Sequence, residues 1–493
     1  MSTYTVCVND GDSVRCFDSD GRETLLELLR KNGYEVYAPC GGNGSCRQCK
    51  VYVSGTCRGF DGILSKYVGE PVVACRNYPA GEMNIRLDHH GEEQIRIDIS
   101  DIPPGQFGLG LAVDIGTTTV AVYLYDLATG KCIGTAGAMN AQRSYGSDVI
   151  SRIQHASAPE GLEILRLAVC RQITELAAGL CGDLKKIHYI SIAGNTVMEH
   201  IFAGLDPEGI GVAPFTPLSL FGEEYAASDF LDGFADDCRL YICPAVAGYV
   251  GGDITAGLMS SGVCHKEGTV LFIDVGTNGE MALGDSSGFL CCATAAGPAF
   301  EGAGIECGST AQEGAISRVG RDLSYTVIGD TSPSSICGSG IIDAIAALLR
   351  CGEIDETGRL ESGRYFFGNV YVSQSDVRKI QLAKAAVRAG VETLLEKCNK
   401  SYDDVTEVLI AGGFGAYMNI DSACEIGLLP PAFQGRTRHI GNSAGLGAAL
   451  ALTPEGRALL AGICQKCTYE ELSSSALFNE KYIDSMMFEE TED

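Results

Sequence analysis

The chain has 493 residues, 45% of them hydrophobic and 20% charged, with 63 glycines against 15 prolines. That balance supplies cores for two or three globular domains and excludes wholesale disorder. A formal net charge of −27 repels phosphate backbones and anionic lipid, which excludes nucleic acid and membranes as partners, whereas a small anion such as ATP can still be held locally on backbone N–H groups with Mg2+.

The opening MSTYTVCVNDGDSVRCF lacks a basic segment followed by an apolar one, so it does not read as a signal peptide. No uninterrupted apolar run approaches the roughly 18 residues that would span a bilayer. A cytoplasmic setting is expected. The 22 cysteines then read as thiols in a reducing, anaerobic cytoplasm rather than as a disulfide framework. Most, such as Cys170, Cys181, Cys243 and Cys264, stand singly among apolar residues as small buried hydrophobes.

Residues 1–95 read as a first domain. TYTVCVN and SVRCF alternate as short strands, TLLELLRKNG is a helix closed by Gly33, and CKVYVSG and MNIRLD are further strands, together a small β-grasp layout. Cys40, Cys46 and Cys49 give C-x5-C-x2-C, and PVVACRNYP adds Cys75. Three thiolates on one loop and one distant suit a [2Fe–2S] cluster with two cysteines per iron. Gly41, Gly42 and Gly44 let the loop wrap closely and aim N–H groups at the sulfurs. Structural zinc also takes four cysteines, but zinc ribbons pair two C-x2-C knuckles and Cys75 stands alone. Cys57 falls off the spacing, and His89 and His90 read as surface residues.

On these residues the domain resembles plant- and adrenal-type [2Fe–2S] ferredoxins, its first gap being nearer the adrenal one. The resemblance implies a one-electron carrier of low potential, near roughly −400 mV for the plant type. Arg47 stands where related domains often have glycine; a cation there either favours the reduced cluster or docks an acidic partner.

Residues 96–107, with two prolines and a glycine, read as a linker. LAVDIGTTTVAVYLYDLATGKCIG then begins at Leu111, and a second copy, LFIDVGTNGEMALGDSSGFLCCAT, begins at Leu271; Asp114, Gly116 and Thr117 recur as Asp274, Gly276 and Thr277. Another echo sets Ala193-Gly194-Asn195 against Ala411-Gly412-Gly413, each ending a β-branched strand. Two related α/β halves facing one another are the simplest architecture.

In D-x-G-T a strand ends in a carboxylate, glycine turns the chain, and threonine hydroxyls with turn N–H groups cup a phosphate. Asp114 is placed to hold Mg2+ through water, with Gly116, Thr117, Thr118 and Thr119 around a phosphate; Asp274, Gly276, Thr277 and Asn278 grip from the opposite lobe. Gly412, Gly413 and Gly415 offer a flat surface for adenosine. A plain hairpin capped by aspartate is the other reading of a single copy. Asp253, after Gly251-Gly252, either faces the γ-phosphate as the water-activating acid or caps the following helix. Glu280 is a weaker candidate for that role, and Glu301 is either a cap or a ligand. Cys291 and Cys292 read as buried, Cys464-x-x-Cys467 as structural on a helix, and FEETED as a frayed acidic tail.

Residues 108–455 resemble the superfamily of sugar kinases, heat-shock chaperone ATPases and actin. The resulting fold class is α/β, a small α+β β-grasp domain followed by a duplicated RNase H-like two-lobed ATPase, with lobe I at 108–268, lobe II at 269–467 and a C-terminal helix and tail at 468–493. In this order the parts resemble reductive activators of corrinoid proteins, which use ATP to return a Co(II) corrinoid to Co(I) for methyl transfer. That resemblance implies a [2Fe–2S] cluster, ATP and Mg2+ as cofactors, and a corrinoid protein and a low-potential electron donor as partners, and leaves a homodimer open. The interval between Cys75 and Asp114 is too short for the extra middle domain expected of that family. Other readings are an activator of another low-potential metalloenzyme, as for 2-hydroxyacyl-CoA dehydratases with a [4Fe–4S] cluster between two subunits, a redox-sensing small-molecule kinase, and an actin-like scaffold.

Overall fold

The structure, a computed structural model, describes residues 3–10, 13–34, 36, 38, 42, 44, 49–87, 100–413 and 415–488. Cys40, Gly41, Cys46, Arg47, His89, His90 and residues 489–493 lie outside them. Strands β1 (Tyr4–Asn9) and β2 (Val14–Ser19) form the first hairpin. Cys7 faces Cys16 across it and the two are joined in a disulfide, a departure from the expected thiols. Helix α1 (Leu25–Lys31) begins at Thr24, whose hydroxyl accepts the Glu27 N–H while the Glu27 carboxylate accepts the Thr24 N–H.

Strands β3 (Lys50–Gly59), β4 (Leu64–Val73) and β5 (Asn77–Arg86) complete a sheet in the order β2-β1-β5-β3-β4. Strand β4 was not foreseen. It holds Gly69 and Pro71, which weaken a strand pattern but are tolerated on an edge. Helix α1 buries Leu25, Leu26 and Leu29 with Val6, Val8 and Val51 of the sheet.

The rest of the chain builds one motif twice. The first copy runs β6 (Leu109–Ile115), β7 (Thr119–Asp126), β8 (Lys131–Met139), α2 (Val149–Ala156), α3 (Gly161–Cys181), β9 (Ile187–Gly194), α4 (Thr196–Ala203), the one-turn α5 (Glu208–Gly211), β10 (Glu224–Ala226), β11 (Arg239–Ile242) and α6 (Gly252–Ser260). Its sheet order is β10-β11-β9-β6-β7-β8. The second copy opens with β12 (Thr269–Val275), β13 (Gly279–Asp285) and β14 (Gly288–Thr294). An inserted part follows with β15 (Ala315–Val319), β16 (Tyr325–Val327), β17 (Ser335–Ile336), α7 (Gly338–Arg350), β18 (Arg364–Phe367) and β19 (Val370–Ser373). The chain ends through α8 (Gln374–Lys397), β20 (Val405–Ala411), α9 (Ile420–Glu425), β21 (Thr437–Gly441), α10 (Ser443–Ala451), α11 (Pro454–Lys466), β22 (Cys467–Tyr469) and α12 (Ala476–Asp484). The second sheet runs β21-β20-β12-β13-β14-β22.

In both copies an antiparallel meander is extended by parallel strands, and the registers match. Asp114 of β6 lies opposite Ala193 of β9, and Asp274 of β12 lies opposite Ala411 of β20. The two echoes seen in the sequence are therefore one structural pair, built twice. Helices α6 and α10 lie between the sheets, in a core that joins Tyr123 and Ala193 of one to Phe272 and Leu409 of the other. The helices touch backbone to backbone, for a Cβ on Gly447 would sit 2.2 Å from the Ala256 carbonyl oxygen.

Two smaller expectations change. Cys464 lies in the last turn of α11 and Cys467 opens β22, so this C-x-x-C straddles a helix end. Phe488, the first residue of the expected frayed tail, is buried and its N–H donates to the Glu356 carbonyl at 2.9 Å. Among the described residues no helix is long and apolar enough to cross a membrane.

The α6–α10 contact makes a direct test. Gly447→Ala is expected to destabilise the protein by about 1–3 kcal/mol through overpacking. Gly179→Ala on α3, where a Cβ meets nothing within 4 Å, should instead be neutral or stabilising by up to about 1 kcal/mol. Denaturant unfolding of the two variants checks both signs.

Candidate cluster loop and nucleotide cleft

Cys49 leads into β3, and Cys75 sits in the turn after β4; both are buried. The two strands bring them together. The Cys75 N–H donates to Cys49 Sγ at 3.4 Å, and the Ala74 N–H donates to the Cys49 carbonyl at 2.7 Å. Amide hydrogens aimed at a sulfur favour its thiolate, the form that ligates iron. Gly42 has φ 98°, and a Cβ there would lie 3.0 Å from Leu26 Cδ2; Gly44 has φ 84°, and a Cβ would lie 2.8 Å from Arg76 Nε. At these two positions, with positive φ and neighbours this close, glycine is the residue that fits. The described half of the predicted ligand set suits a cluster, while Cys40 and Cys46 fall outside the described residues. Cys57 is buried and its thiol is pushed up to about 11 by that burial, so it stays a protonated bystander.

In lobe I, Asp114 is the last residue but one of β6 and the chain turns at Gly116, where a Cβ would lie 2.8 Å from the Thr119 carbonyl oxygen. Asp114 accepts a hydrogen bond from Asn442 Nδ2 at 2.8 Å, and the Thr117 hydroxyl accepts one from Asn195 Nδ2 at 3.0 Å. In lobe II the turn after β12 closes through the Gly276 N–H to the Asn278 carbonyl at 3.0 Å. Gly412, at φ 88°, passes so close to Asp274 that a Cβ would lie 2.5 Å from its Oδ1. Gly413 beside it borders open space, and a Cβ on Gly415 would press on Ile410 at 2.7 Å.

One residue ties the two lobes together. The Thr118 hydroxyl donates to Glu301 Oε2 at 2.9 Å, and the Thr277 hydroxyl donates to Glu301 Oε1 at 3.0 Å. The hydroxyls of both D-x-G-T segments thus converge on a single carboxylate. Sequence reasoning left Glu301 as a cap or a ligand, and no spacing signal marks it as a bridge.

Asp253 joins the same cleft. It follows the first residue of α6, whose N-cap is Gly251 without a side-chain cap bond, and its carboxylate accepts the Ile254 N–H at 2.8 Å. The helix-capping reading therefore does not describe it. Burial, then the neighbouring Asp274, push the Asp253 carboxyl up to about 8. Burial and Asp114 bring Asp274 to about 7; burial brings Asp114 to about 6 against the lowering effect of Asn442. Glu280 is buried and held well above its ordinary range by that burial, Asp253 and Asp274. Among the described residues no group of three or more such side chains forms a ready metal cage; Mg2+ characteristically keeps several waters and uses one or two carboxylates.

Three other residues that shape the cleft escaped the sequence reading. Asn442 was legible only as the N-cap of α10, whose Gly445 N–H its Oδ1 accepts at 2.8 Å. Arg152, fully buried, donates from Nη2 to the Thr117 carbonyl and from Nε to the Gly146 carbonyl at 3.0 Å. Glu199 of α4 is fully buried, and a Cβ on Gly252 would lie 2.2 Å from its Oε1.

Two outcomes follow for this cleft. Each raised carboxyl binds its proton more tightly in the folded chain than in the unfolded one. That stability is complete below the ordinary carboxylate range and is lost as pH rises through about 6, 7 and 8. Without metal or nucleotide, the melting temperature should fall from about pH 5 to about pH 9, and Mg2+ with ATP should flatten the slope, as differential scanning fluorimetry will show. Glu301→Ala removes a like charge facing the phosphates and should tighten ATP binding roughly three- to tenfold by calorimetry. Weakened binding would mark Glu301 as a ligand to Mg2+ instead.

The comparisons with known proteins agree with this anatomy. The 2Fe-2S iron-sulfur cluster binding domain family matches residues 8–79, the RACo middle region matches 109–266, and the C-terminal domain of RACo, the ASKHA domain, matches 268–493. The middle region thus falls on lobe I, which corrects the expectation that a middle domain is missing. The corrinoid activation enzyme RamQ of Eubacterium limosum is 36% identical over 420 residues, covering 77% of this chain and 70% of that one. A reductase of the Co(II) methylated amine-specific corrinoid protein, from Methanosarcina barkeri, is 25% identical over 412 residues, 76% of each chain. The solved structure of a reductive activator for a corrinoid, iron–sulfur protein superposes with a TM-score of 0.70 at 31% identity, covering 99% of both chains. By sequence and by fold, the chain belongs to the RACo family, with an iron–sulfur domain ahead of a two-lobed ASKHA ATPase.

Proposed function

We propose that the protein is an ATP-dependent reductive activator that passes single low-potential electrons to a corrinoid protein, taking its substrate cobalt from Co(II) to Co(I). The observation that carries this reading is the pairing on one chain of adjacent buried Cys49 and Cys75 with two facing D-x-G-T segments whose hydroxyls meet on Glu301. Electron transfer alone needs no ATP, and phosphoryl transfer alone needs no cluster. Their union makes sense where the electron must go uphill.

The residues divide the work. Cys40, Cys46, Cys49 and Cys75 hold the cluster, which when bound supplies one electron at a time. Thr117, Thr118, Thr119, Thr277 and Asn278, with the turns at Gly116 and Gly276, hold the phosphates. Asp114 and Asp274 hold Mg2+ through water, and Gly412, Gly413 and Gly415 border the adenosine. Asp253, with a carboxyl near 8, is in the range where it can orient a water and accept its proton as ATP and water become ADP and phosphate. A separate low-potential donor returns each electron spent, and the protein works as a homodimer.

The decisive experiment follows the cobalt spectrum. Reconstituted protein, a reductant and a Co(II) corrinoid protein should yield Co(I) with ATP and not without it. Cys75→Ser should abolish reduction while leaving ATP hydrolysis, and Asp253→Asn should lower hydrolysis by about 100-fold or more. If ATP never alters the cobalt spectrum, the reading fails.

A further inference from the structure

Among the described residues, one side chain of the iron–sulfur domain that touches lobe I has surroundings that lead to the phosphate segment. Arg30, in the last turn of α1, has its guanidinium carbon 5.2 Å from the centroid of the Tyr145 ring. Tyr145 in turn packs on the His155 ring, centroid to centroid 5.0 Å. On its other side Arg30 borders the cysteine loop. Its Nη1 lies 4.0 Å from where a Cβ on Gly42 would be, and that position is equally 4.0 Å from Cys75 Cβ. Nε and Nη2 of Arg30 are shut off from solvent, so the cation meets the ring desolvated, where such contacts are strongest. The positive charge of Arg30 also helps hold the His155 imidazole below its ordinary value, after burial.

Tyr145 and His155 belong to the segment 140–156, which grips the first phosphate segment at three consecutive carbonyls. Asn140 Nδ2 donates to the Gly116 carbonyl at 2.8 Å, Arg152 Nη2 donates to that of Thr117, and the Asn140 N–H donates to that of Thr118 at 2.9 Å. Arg152 also donates to Gly146, next to Tyr145, at 3.0 Å, and to Gln142 Oε1 at 3.1 Å. A helical turn, a loop and α2 are thereby bound into one piece, with the turn N–H groups of 117–119, which share peptide units with those carbonyls, at one end and the Arg30 platform at the other. If phosphate re-aims those N–H groups, their carbonyls move with them, because each peptide unit is planar.

We propose that segment 140–156 couples nucleotide occupancy to the docking of the iron–sulfur domain, with Arg30 on Tyr145 and His155 as the docking contact. Nucleotide in the cleft alters the grip of Asn140 and Arg152 on 116–118, which shifts the aromatic platform and the balance between docked and released iron–sulfur domain. Arg30 is a positioning residue here, acting through the rings it stacks on. The coupling is reciprocal, since docking must change nucleotide affinity by the factor by which nucleotide changes docking. This rests on the reading of residues 111–119 as a phosphate segment.

The chain contains no tryptophan, so Tyr145→Trp places a single reporter at the contact and keeps a ring for Arg30. In the full chain with its cluster reconstituted, energy transfer to the cluster quenches that indole when the domain is docked. A non-hydrolysable ATP analogue should change the quenching at least about twofold. Adding Arg30→Ala should cut the docked-to-released ratio roughly fivefold, the worth of one such contact. It should also abolish the analogue's effect on quenching and change analogue affinity in calorimetry by at most the factor by which the analogue changes docking in the Tyr145→Trp parent, with iron content unchanged. Arg30→Lys, which keeps the charge beside the cysteine loop and loses the flat stacking, should give the same pattern and carries the test if Arg30→Ala loses iron. If the analogue binds by calorimetry while quenching ignores it, or responds equally in both Arg30 variants, the coupling is refuted and the nucleotide reading stands. Absence of binding heat in every variant overturns both.

Discussion

Five carboxylates face one another in a cleft from which much of the water is excluded, and the two-lobed body is organised around that repulsion. Asp114 and Asp274 lie one residue from the ends of the central strands of twin sheets, and Asp253, Glu280 and Glu301 join them from α6, β13 and the loop after β14. Like charges at low dielectric cannot all stay ionised without a cation among them. Burial first, and neighbouring carboxylates after it, raise Asp253, Asp274 and Glu280, while burial raises Asp114. Donors relieve the repulsion in part, among them Asn442 on Asp114, the Ile254 N–H on Asp253, and the hydroxyls of Thr118 and Thr277 on Glu301. A cleft of this charge is built to gain its partner from solution, which ties lobe closure to what is bound.

The glycines serve the same end. Gly412 and Gly116 leave no space for a side chain because the carboxylate or the next turn already fills it. Helices α6 and α10 meet backbone to backbone at Gly447 and Ala256 between the two sheets. Small residues there let the lobes share one core yet keep the contact thin enough to pivot. The iron–sulfur domain is joined more lightly. Ile102 of the following stretch is buried against lobe I, its N–H donating to the Gly130 carbonyl at 2.8 Å, and Arg30 makes the stacking contact at the far side.

What was legible in the chain was whatever the backbone itself demands. The cysteine spacing, the loop glycines, the two D-x-G-T turns and the two glycine-ended strands are each local, so a short window contains the whole requirement. The pairing of Asp114 with Ala193, and of Asp274 with Ala411, turned two separate echoes into one repeated unit. Strand β4 was hidden because an edge strand tolerates the Gly69 and Pro71 that argue against it in sequence. The tail was misjudged at Phe488, whose burial depends on a pocket made by distant residues, Lys384 among them.

The amino-acid sequence alone thus determined the two cofactor-binding domain types, their order and the duplicated halves, because those follow from ligand spacing, hydrophobic period and turn chemistry within short stretches. Only the tertiary structure decided that Asn442 answers Asp114, that Glu301 bridges Thr118 and Thr277, and that Arg152 and Arg30 stand at opposite ends of one segment. Asparagine, glutamate and arginine occur throughout any such chain. Their roles arise from which strands and helices bring them within about 3 Å of a partner far away in sequence, a distance set by packing.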